Sequence, residues 1–463
     1  MSQQILFDAA LIRRYDQNGP RYTFYPTVAQ FHADISEADY RGWAGYSNED
    51  PIPRPLSLYV HTPFCDTPCF YCPGGSALTQ GRVRAADYLH NLCRELALQA
   101  PLFDRDRVVE QLHWGGGTAA FLTAAQCREL MQTTRRHFAL RYDDGGEYCI
   151  DVDAHAVEHD KLTVLRNIGF NHVSIGLQVS EPGLLQAVSS SQCMELARAT
   201  FRHARALGYR SINIDLMYGL PQQTAASFAQ TLHQVIELQP DRIAVYDCAH
   251  LPDRFRPQQG SGRDALESSD IRLDILQRSI ADLTEAGFVY IGMDHFARPE
   301  DELAVAQRNG TLHRNFQGYS TRVDCDLIGL GVAAIGRVCD NYIQNTRDLD
   351  RYSELLAAGR LPLERGLELE PDDLLRREII SRLLCDFRLD ITALEASWRF
   401  DFARYFRHEY IELRRMQEDG LLSIDGKRLV VLPAGRLLVR NICMVFDRYL
   451  HGGGSHTTFS KVI

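Results

Sequence analysis

No run of about 18 consecutive apolar residues occurs in this chain of 463 residues, so no segment is expected to cross a bilayer. The opening MSQQILFDAALIRRYDQNGP lacks the charged-then-apolar order of a secretory leader, which makes the cytoplasm the expected compartment. An excess of positive charge is missing too, because the formal net charge is −10. A nucleic-acid-binding protein needs a basic face, so nucleic acid is not an expected partner, although a local basic pocket for a small anionic substrate stays open. Internal repeats are absent. So is a disulfide framework: nine of the twelve cysteines stand alone (Cys93, Cys127, Cys149, Cys193, Cys248, Cys325, Cys339, Cys385 and Cys443). In a reducing compartment such residues are small buried side chains.

Hydrophobic residues make up 45% and charged residues 24%, the balance of a globular chain, and the length predicts two or three domains. Residues 1–50 read as an extended or weakly helical N-terminal arm. Its Gly19-Pro20-Arg21-Tyr22-Thr23-Phe24-Tyr25-Pro26 suits a segment laid over something else. From 51 to 365 short β-branched or apolar runs (56–61, 111–114, 148–152, 172–177, 212–217, 243–248 and 288–293) alternate with helical periodicity, as over 86–99 and 225–238. That alternation predicts right-handed βαβ units, a parallel sheet and a whole or partial α/β barrel. Chemistry in such barrels gathers at the C-terminal strand ends, which here carry His61, Gly115-Gly116-Gly117, Asp153, Gln178 and Tyr218-Gly219. Residues 366–463 predict helices over 371–387, 391–398, 402–419 and 435–450, with a hairpin turning at Asp425-Gly426. Helices followed by such a wing suggest a winged-helix-like cap. Its 15 acidic and 15 basic residues cancel, which disfavours DNA binding there.

The centre of the chemistry is Cys65-Asp66-Thr67-Pro68-Cys69-Phe70-Tyr71-Cys72, directly after the first strand. Three thiolates within eight residues on one loop can wrap a soft metal centre. A structural zinc site closes with four ligands, and the fourth would have to be His61 or come from far away. A 4Fe–4S cluster on three cysteines keeps one iron open for a small molecule. His113-Trp114-Gly115-Gly116-Gly117-Thr118 is the second feature. Its glycines let backbone approach a ligand and offer N–H donors to a carboxylate or phosphate, although alone they would read as a tight turn.

With an aromatic before its third cysteine, Cys-x3-Cys-x2-Cys resembles the signature of radical S-adenosylmethionine (SAM) enzymes. The whole chain is similar to one family among them, the oxygen-independent coproporphyrinogen III oxidases of haem biosynthesis. The likeness runs through residues 19–27, Tyr59-Val60-His61, 113–118, Asn213-Ile214-Asp215-Leu216, Tyr218-Gly219-Leu220-Pro221, 292–299, 313–319 and Phe459-Ser460-Lys461-Val462-Ile463. The resemblance implies a radical SAM barrel at 51–365 and a cluster held by Cys65, Cys69 and Cys72. The open iron would take the amino and carboxylate groups of SAM, whose cleavage starts hydrogen removal from two propionates. Each then loses carbon dioxide and becomes a vinyl group. Positions matching the family's first SAM site are Tyr59, Tyr71, Gly116, Asp151 and Ile335. Those matching a second are Gly117, Thr118, Gln178, Ser190, Asp215 and Ala249. No residue is given a catalytic role. A tetrapyrrole substrate, a reduced donor such as flavodoxin or ferredoxin, and a monomer are implied as well.

Several positions depart from the family pattern, and they cluster at the SAM site. Gly74 stands where the family has a fourth cysteine, one not thought to ligate the cluster. Asp151 replaces a glutamate and shortens the side chain by one methylene, while Ser190 replaces an arginine and removes a bidentate carboxylate clamp. Val179-Ser180 and Ala119 replace Asp-Phe and Pro. These changes bear on turnover, and two other readings stay open: a paralogue with another SAM-dependent tetrapyrrole reaction, and a non-catalytic haem- or cluster-binding relative. His295 and His313 read as hydrogen-bonded structural residues ahead of substrate or haem contacts. Arg21, Tyr22 and Tyr25 either cover a cavity or pack on the barrel. Asp215, a carboxylate at a strand end, calls for a ligand or partner.

Overall fold

A computed structural model describes residues 5–64, 81–117, 121–154, 157–177, 191–220, 223–248, 269–322, 324–451 and 459. The chain divides into two compact units. One comprises Phe31–Glu267 with Asp324–Leu369, and the other Met1–Gln30, Ser268–Val323 and Glu370–Ile463.

The first unit is built on β1 (Leu56–Thr62), β2 (Val108–Gly116), β3 (Ala139–Leu140), β4 (Glu147–Asp153), β5 (His172–Gly176), β6 (Ser211–Tyr218) and β7 (Arg242–Asp247). Strands β1, β2, β4, β5, β6 and β7 pair in that order and all in parallel, while the short β3 pairs in parallel with the start of β2. The expected parallel α/β sheet is therefore present. On the other side of β1 lies Asp326–Leu330, also parallel, followed by an antiparallel run of Ile335–Val338, Asn341–Asn345 and Leu363–Leu367. Among the described residues this sheet has two free ends, so it is a partial barrel.

Successive strand residues face opposite ways. One face is apolar: Leu58, Val60, Leu112, Trp114, Ile150, Val152, Val173, Ile175, Ile212 and Ile214 are all 3% exposed or less. The alternate positions are polar and are only part-buried at the C-terminal ends (Tyr59, His61, His113, Asp151, Asn213 and Asp215). A shift of one residue would exchange these faces, so burial of the apolar set fixes the register and with it the polar rim. Local signals bound the intervening helices. Thr123 and Thr224 cap Ala124–His137 and Ala225–Leu238 with reciprocal capping boxes through Gln126 and Ser227. Basic Arg135, Arg136 and His137 sit at the negative end of the former.

In the second unit the run expected at 288–293 forms Val289–Gly292, which turns back at once to pair antiparallel with His295–Ala297. Met293 and Asp294, at φ 45° and 73°, make the tight turn that replaces an expected βα connection. Helices at Pro371–Asp386 and Ile391–Trp398 and the hairpin Leu422–Ile424/Arg428–Val431 lie where the sequence puts them. The helix expected over 402–419 is broken into Phe402–Tyr405 and Glu409–Glu418. Between them Phe406 is fully buried, with its ring 4.9 Å from Phe402 and 5.5 Å from Phe446. The last helix is Val439–Val445 and then Arg448–His451. Asp447 interrupts it by accepting hydrogen bonds from the Tyr449 backbone N–H (3.0 Å) and the buried Tyr22 hydroxyl (2.8 Å). Tyr22 and Tyr25 of the arm thus pack in the core.

Candidate functional site at the C-terminal strand ends

Parallel register lines up residues far apart in sequence. Tyr59 stands opposite His113, and His61 opposite Gly115. His113 stands opposite Cys149, Asp151 opposite Ser174, and Ser174 opposite Asn213. The strand ends therefore form one continuous polar row across β1, β2, β4, β5 and β6.

Asp151 and Asp215, two acidic groups of the row, each have a holder. His113 Nε2 lies 3.1 Å from Asp151 Oδ2, and since a carboxylate only accepts, the imidazole donates. Burial pulls the His113 pKa down, but the Asp151 charge and hydrogen bond outweigh it and leave it raised. Tyr59 packs its ring 5.7 Å from that of His113, and its hydroxyl is 3.0 Å from His61 Nδ1. Burial lowers the His61 pKa to about 4, so this imidazole is neutral at pH 7. Asp215 accepts from Ser174 Oγ (2.7 Å) and Asn213 Nδ2 (2.8 Å). Burial raises its carboxyl to about 6, with the Asp151 charge adding and the Ser174 and Asn213 bonds opposing.

The glycines of β2 leave room for these contacts. A Cβ on Gly115 would come within 2.6 Å of Asp151 Oδ2 and 2.7 Å of His113 Nε2. Gly116 has φ +101° and would drive a Cβ into the His61 ring. Gly117 donates its N–H to Thr62 O at 2.5 Å, which closes the end of β2 onto β1. Ile335 reaches the row by a similar approach. Its backbone lies against Gly329, where a Cβ would fall 2.6 Å from the Ile335 carbonyl, and Gly329 pairs with Tyr59.

Of the residues singled out by resemblance, Tyr59, Gly116, Gly117, Asp151, Asp215 and Ile335 converge here. The cluster cysteines Cys65, Cys69 and Cys72, together with Tyr71, Gly74, Thr118, Gln178, Ser190 and Ala249, lie outside the described residues. His113 and Asn213 appear in the sequence motifs without a site role, and Ser174 is not singled out there at all. Their signal is the period-2 placement of polar residues at the ends of otherwise apolar strands. Elsewhere His295 Nδ1 donates to Met293 O (2.7 Å), which fits its structural reading.

The arrangement suits a cationic ligand that carries an amino group. Two carboxylates, Asp151 and Asp215, border a floor of three glycines whose backbone is free of side chains. SAM, with its sulfonium and ammonium groups, matches that donor set. His113, Cys149 and Asp151 also bring metal-ligating atoms within 4.8 Å of one another. Burial keeps the Cys149 thiol protonated, however, and His113 and Asp151 already satisfy each other.

The raised carboxyl of Asp215 has a measurable consequence. Between the ordinary carboxyl value and about 6 the unfolded chain loses a proton that the folded chain keeps, so wild-type stability falls as pH rises through that window. Asp215→Asn does not titrate. Its melting temperature relative to wild type is expected to increase from pH 4 to pH 7 and then level off. A difference that stays flat across this range would contradict the burial cost.

Comparison with known proteins places these features in one family. The family model described as the radical SAM superfamily matches residues 59–235, and that of the HemN C-terminal domain matches 369–438. The oxygen-independent coproporphyrinogen III oxidase of Pseudomonas aeruginosa is 47% identical over 463 residues, covering 100% of both chains. That of Escherichia coli is 46% identical over 462 residues, covering 100% of this chain and 99% of the relative. The solved structure of the Escherichia coli enzyme, described as a radical SAM enzyme, superposes with a TM-score of 0.88 at 45% identity, covering 96% of this chain and 100% of that one. With relatives 46–47% identical matched end to end, this chain belongs to the oxygen-independent coproporphyrinogen III oxidase family of radical SAM enzymes.

Proposed function

We propose that this chain converts coproporphyrinogen III to protoporphyrinogen IX without oxygen, as an oxidoreductase of haem biosynthesis. The observation that carries the reading is the glycine-floored acidic row at the strand ends, where β1 ends at Thr62, three residues before Cys65. Each of two propionate side chains would lose a hydrogen atom, an electron and carbon dioxide to become a vinyl group. A 4Fe–4S cluster on Cys65, Cys69 and Cys72, with SAM on its open iron, supplies the hydrogen-abstracting chemistry when bound.

The chain's own residues orient and shield. Tyr59, Tyr71, Gly116, Asp151 and Ile335 form the first SAM site in this reading. Gly117, Thr118, Gln178, Ser190, Asp215 and Ala249 form a second. His113 donates to Asp151 and so fixes the direction of its carboxylate. Asp215, held by Ser174 and Asn213, presents a charge only above about pH 6. The arm 1–50, barrel 51–365 and cap 366–463 are proposed as the working divisions. The protein is proposed to act as a cytoplasmic monomer that takes electrons from a flavodoxin or ferredoxin.

The test is anaerobic. After assembly with iron and sulfide, the reduced protein is given SAM and coproporphyrinogen III, and 5′-deoxyadenosine and protoporphyrinogen are followed by chromatography. Both products are expected. Deoxyadenosine without vinyl product would point to another substrate, and neither product on an assembled cluster would overturn the enzymatic reading. If only the double variant Gly74→Cys/Ser190→Arg turns over, the native pocket has been retired.

A further inference from the structure

Among the described residues Arg314 is a cation with no anion. It lies in the hairpin His313–Asn315/Gly318–Ser320, where it stands opposite Tyr319. Directly opposed residues share a face, and the guanidinium sits 4.6 Å from the Tyr319 ring centroid. Its Nε and Nη1 are buried without a hydrogen-bond partner. A guanidinium cannot shed its charge to escape that position. Arg135 and Arg166 also bury an unpartnered Nε, but each binds an oxygen through another guanidinium nitrogen. Arg107 binds Asp326 and Asn48 Oδ1, and Arg376 binds Asp372, Glu409 and Phe446 O. Buried polar groups are ordinarily satisfied, and an exception calls for a ligand or a function.

The surroundings are built rather than loose. Tyr319, the platform under the guanidinium, is fixed by its hydroxyl donating to Leu384 O (3.0 Å) and by the His295 ring edge-on at 5.5 Å. The turn is set by the Gln317 N–H donating to Asn315 Oδ1 (2.9 Å). Gln317 itself buries both Nε2 and Oε1 without a partner. Phe316, beside it, meets Phe24 edge-on with centroids 6.3 Å apart. Arg314 as a whole is half-buried, not sealed in the core.

A planar N–H fork on an aromatic platform, next to an unsatisfied amide and a pair of phenyl rings, complements a carboxylate carried on a flat apolar ring. We propose that Arg314 binds a propionate carboxylate of the tetrapyrrole substrate, with Tyr319 holding the guanidinium plane. This assignment rests on the tetrapyrrole reading above. SAM also carries a carboxylate, and the test separates the two sources.

The cluster-loaded protein is titrated anaerobically with coproporphyrin III, with its tetramethyl ester, and with SAM. Arg314→Met keeps the packing on Tyr319 without the charge, and Arg314→Lys keeps the charge without the fork. Arg314→Met is expected to weaken coproporphyrin III binding about tenfold or more. Arg314→Lys should recover part of the loss, while the ester, lacking carboxylates, and SAM should respond to neither variant. Coproporphyrin III binding untouched in Arg314→Met, on a wild type that binds it, would overturn the assignment alone. An equal loss for the ester would reduce Arg314 to packing, and a loss confined to SAM would give the fork to the wrong carboxylate. A wild type that binds no coproporphyrin would overturn the tetrapyrrole reading and this assignment with it.

Discussion

Replacing Cys65, Cys69 or Cys72 by serine is expected to remove the visible absorption of an assembled iron–sulfur cluster and to lower turnover at least about a thousandfold, about 4 kcal/mol of barrier. A serine hydroxyl is a hard, weakly acidic donor at neutral pH and cannot replace a thiolate on iron. With only three cysteines on the loop there is no spare ligand to take over. The cysteines elsewhere behave differently. Cys127 is fully buried in the helix Ala124–His137, and burial pushes its thiol up to about 11. Cys127→Ser should therefore keep the cluster spectrum and show its effect in stability alone. Equal loss of absorption in Cys127→Ser would mean that the spectrum reports folding and not ligation. A wild type that binds zinc stoichiometrically and never shows a visible band would remove the iron–sulfur reading altogether.

How far the sequence reveals such a site depends on whether the determining contacts are local. The helix Ala225–Leu238 was legible to the residue because its cap, Thr224, and its apolar face lie within one window. The six parallel strands β1, β2, β4, β5, β6 and β7 were legible as short apolar runs. The pairing of β1 with Asp326–Leu330 joins residues about 270 positions apart, and the antiparallel strands beyond it carry no local period that announces them. The same limit applies within the site. Asp215 could be picked out as a carboxylate at a strand end, Asp151 only through the family resemblance, and Gly116 and Gly117 as a glycine run. That His113 holds Asp151, and that Ser174 and Asn213 hold Asp215, depends on register between neighbouring strands. Breaks in the C-terminal helices were hidden for a related reason. Phe406 and Asp447 interrupt them through tertiary packing and hydrogen bonds, and neither is a helix breaker by type.

Gly117→Ala is expected to lower turnover strongly, though less than loss of a cluster ligand and by a different route. An added Cβ would fall 2.6 Å from Thr62 O and closer still to Phe64 O, both backbone atoms. Neither can step aside cheaply. Thr62 O accepts the Gly117 N–H, and Phe64 is 2% exposed, stacked on Phe121 at 5.2 Å and edge-on to Tyr88 at 5.3 Å. The end of β2 must therefore lift away from β1, at a cost of about 1–3 kcal/mol in stability. Phe64 precedes Cys65 directly, so the same displacement reaches the point where the cysteine loop begins. A shift of about 1 Å in a reacting geometry costs on the order of a hundredfold in rate. Turnover is therefore expected to fall about a hundredfold, with weaker SAM binding and little change in cluster content. Gly42→Ala is the control. Gly42 lies in the helix Glu37–Glu49 with nothing within 4 Å of an added Cβ, and alanine there should stabilise by about 0.5–1 kcal/mol without touching activity. If Gly117→Ala retained turnover within twofold of wild type, the close backbone approach of β2 to β1 would not be what shapes the proposed SAM pocket, and the glycine would be serving the turn alone.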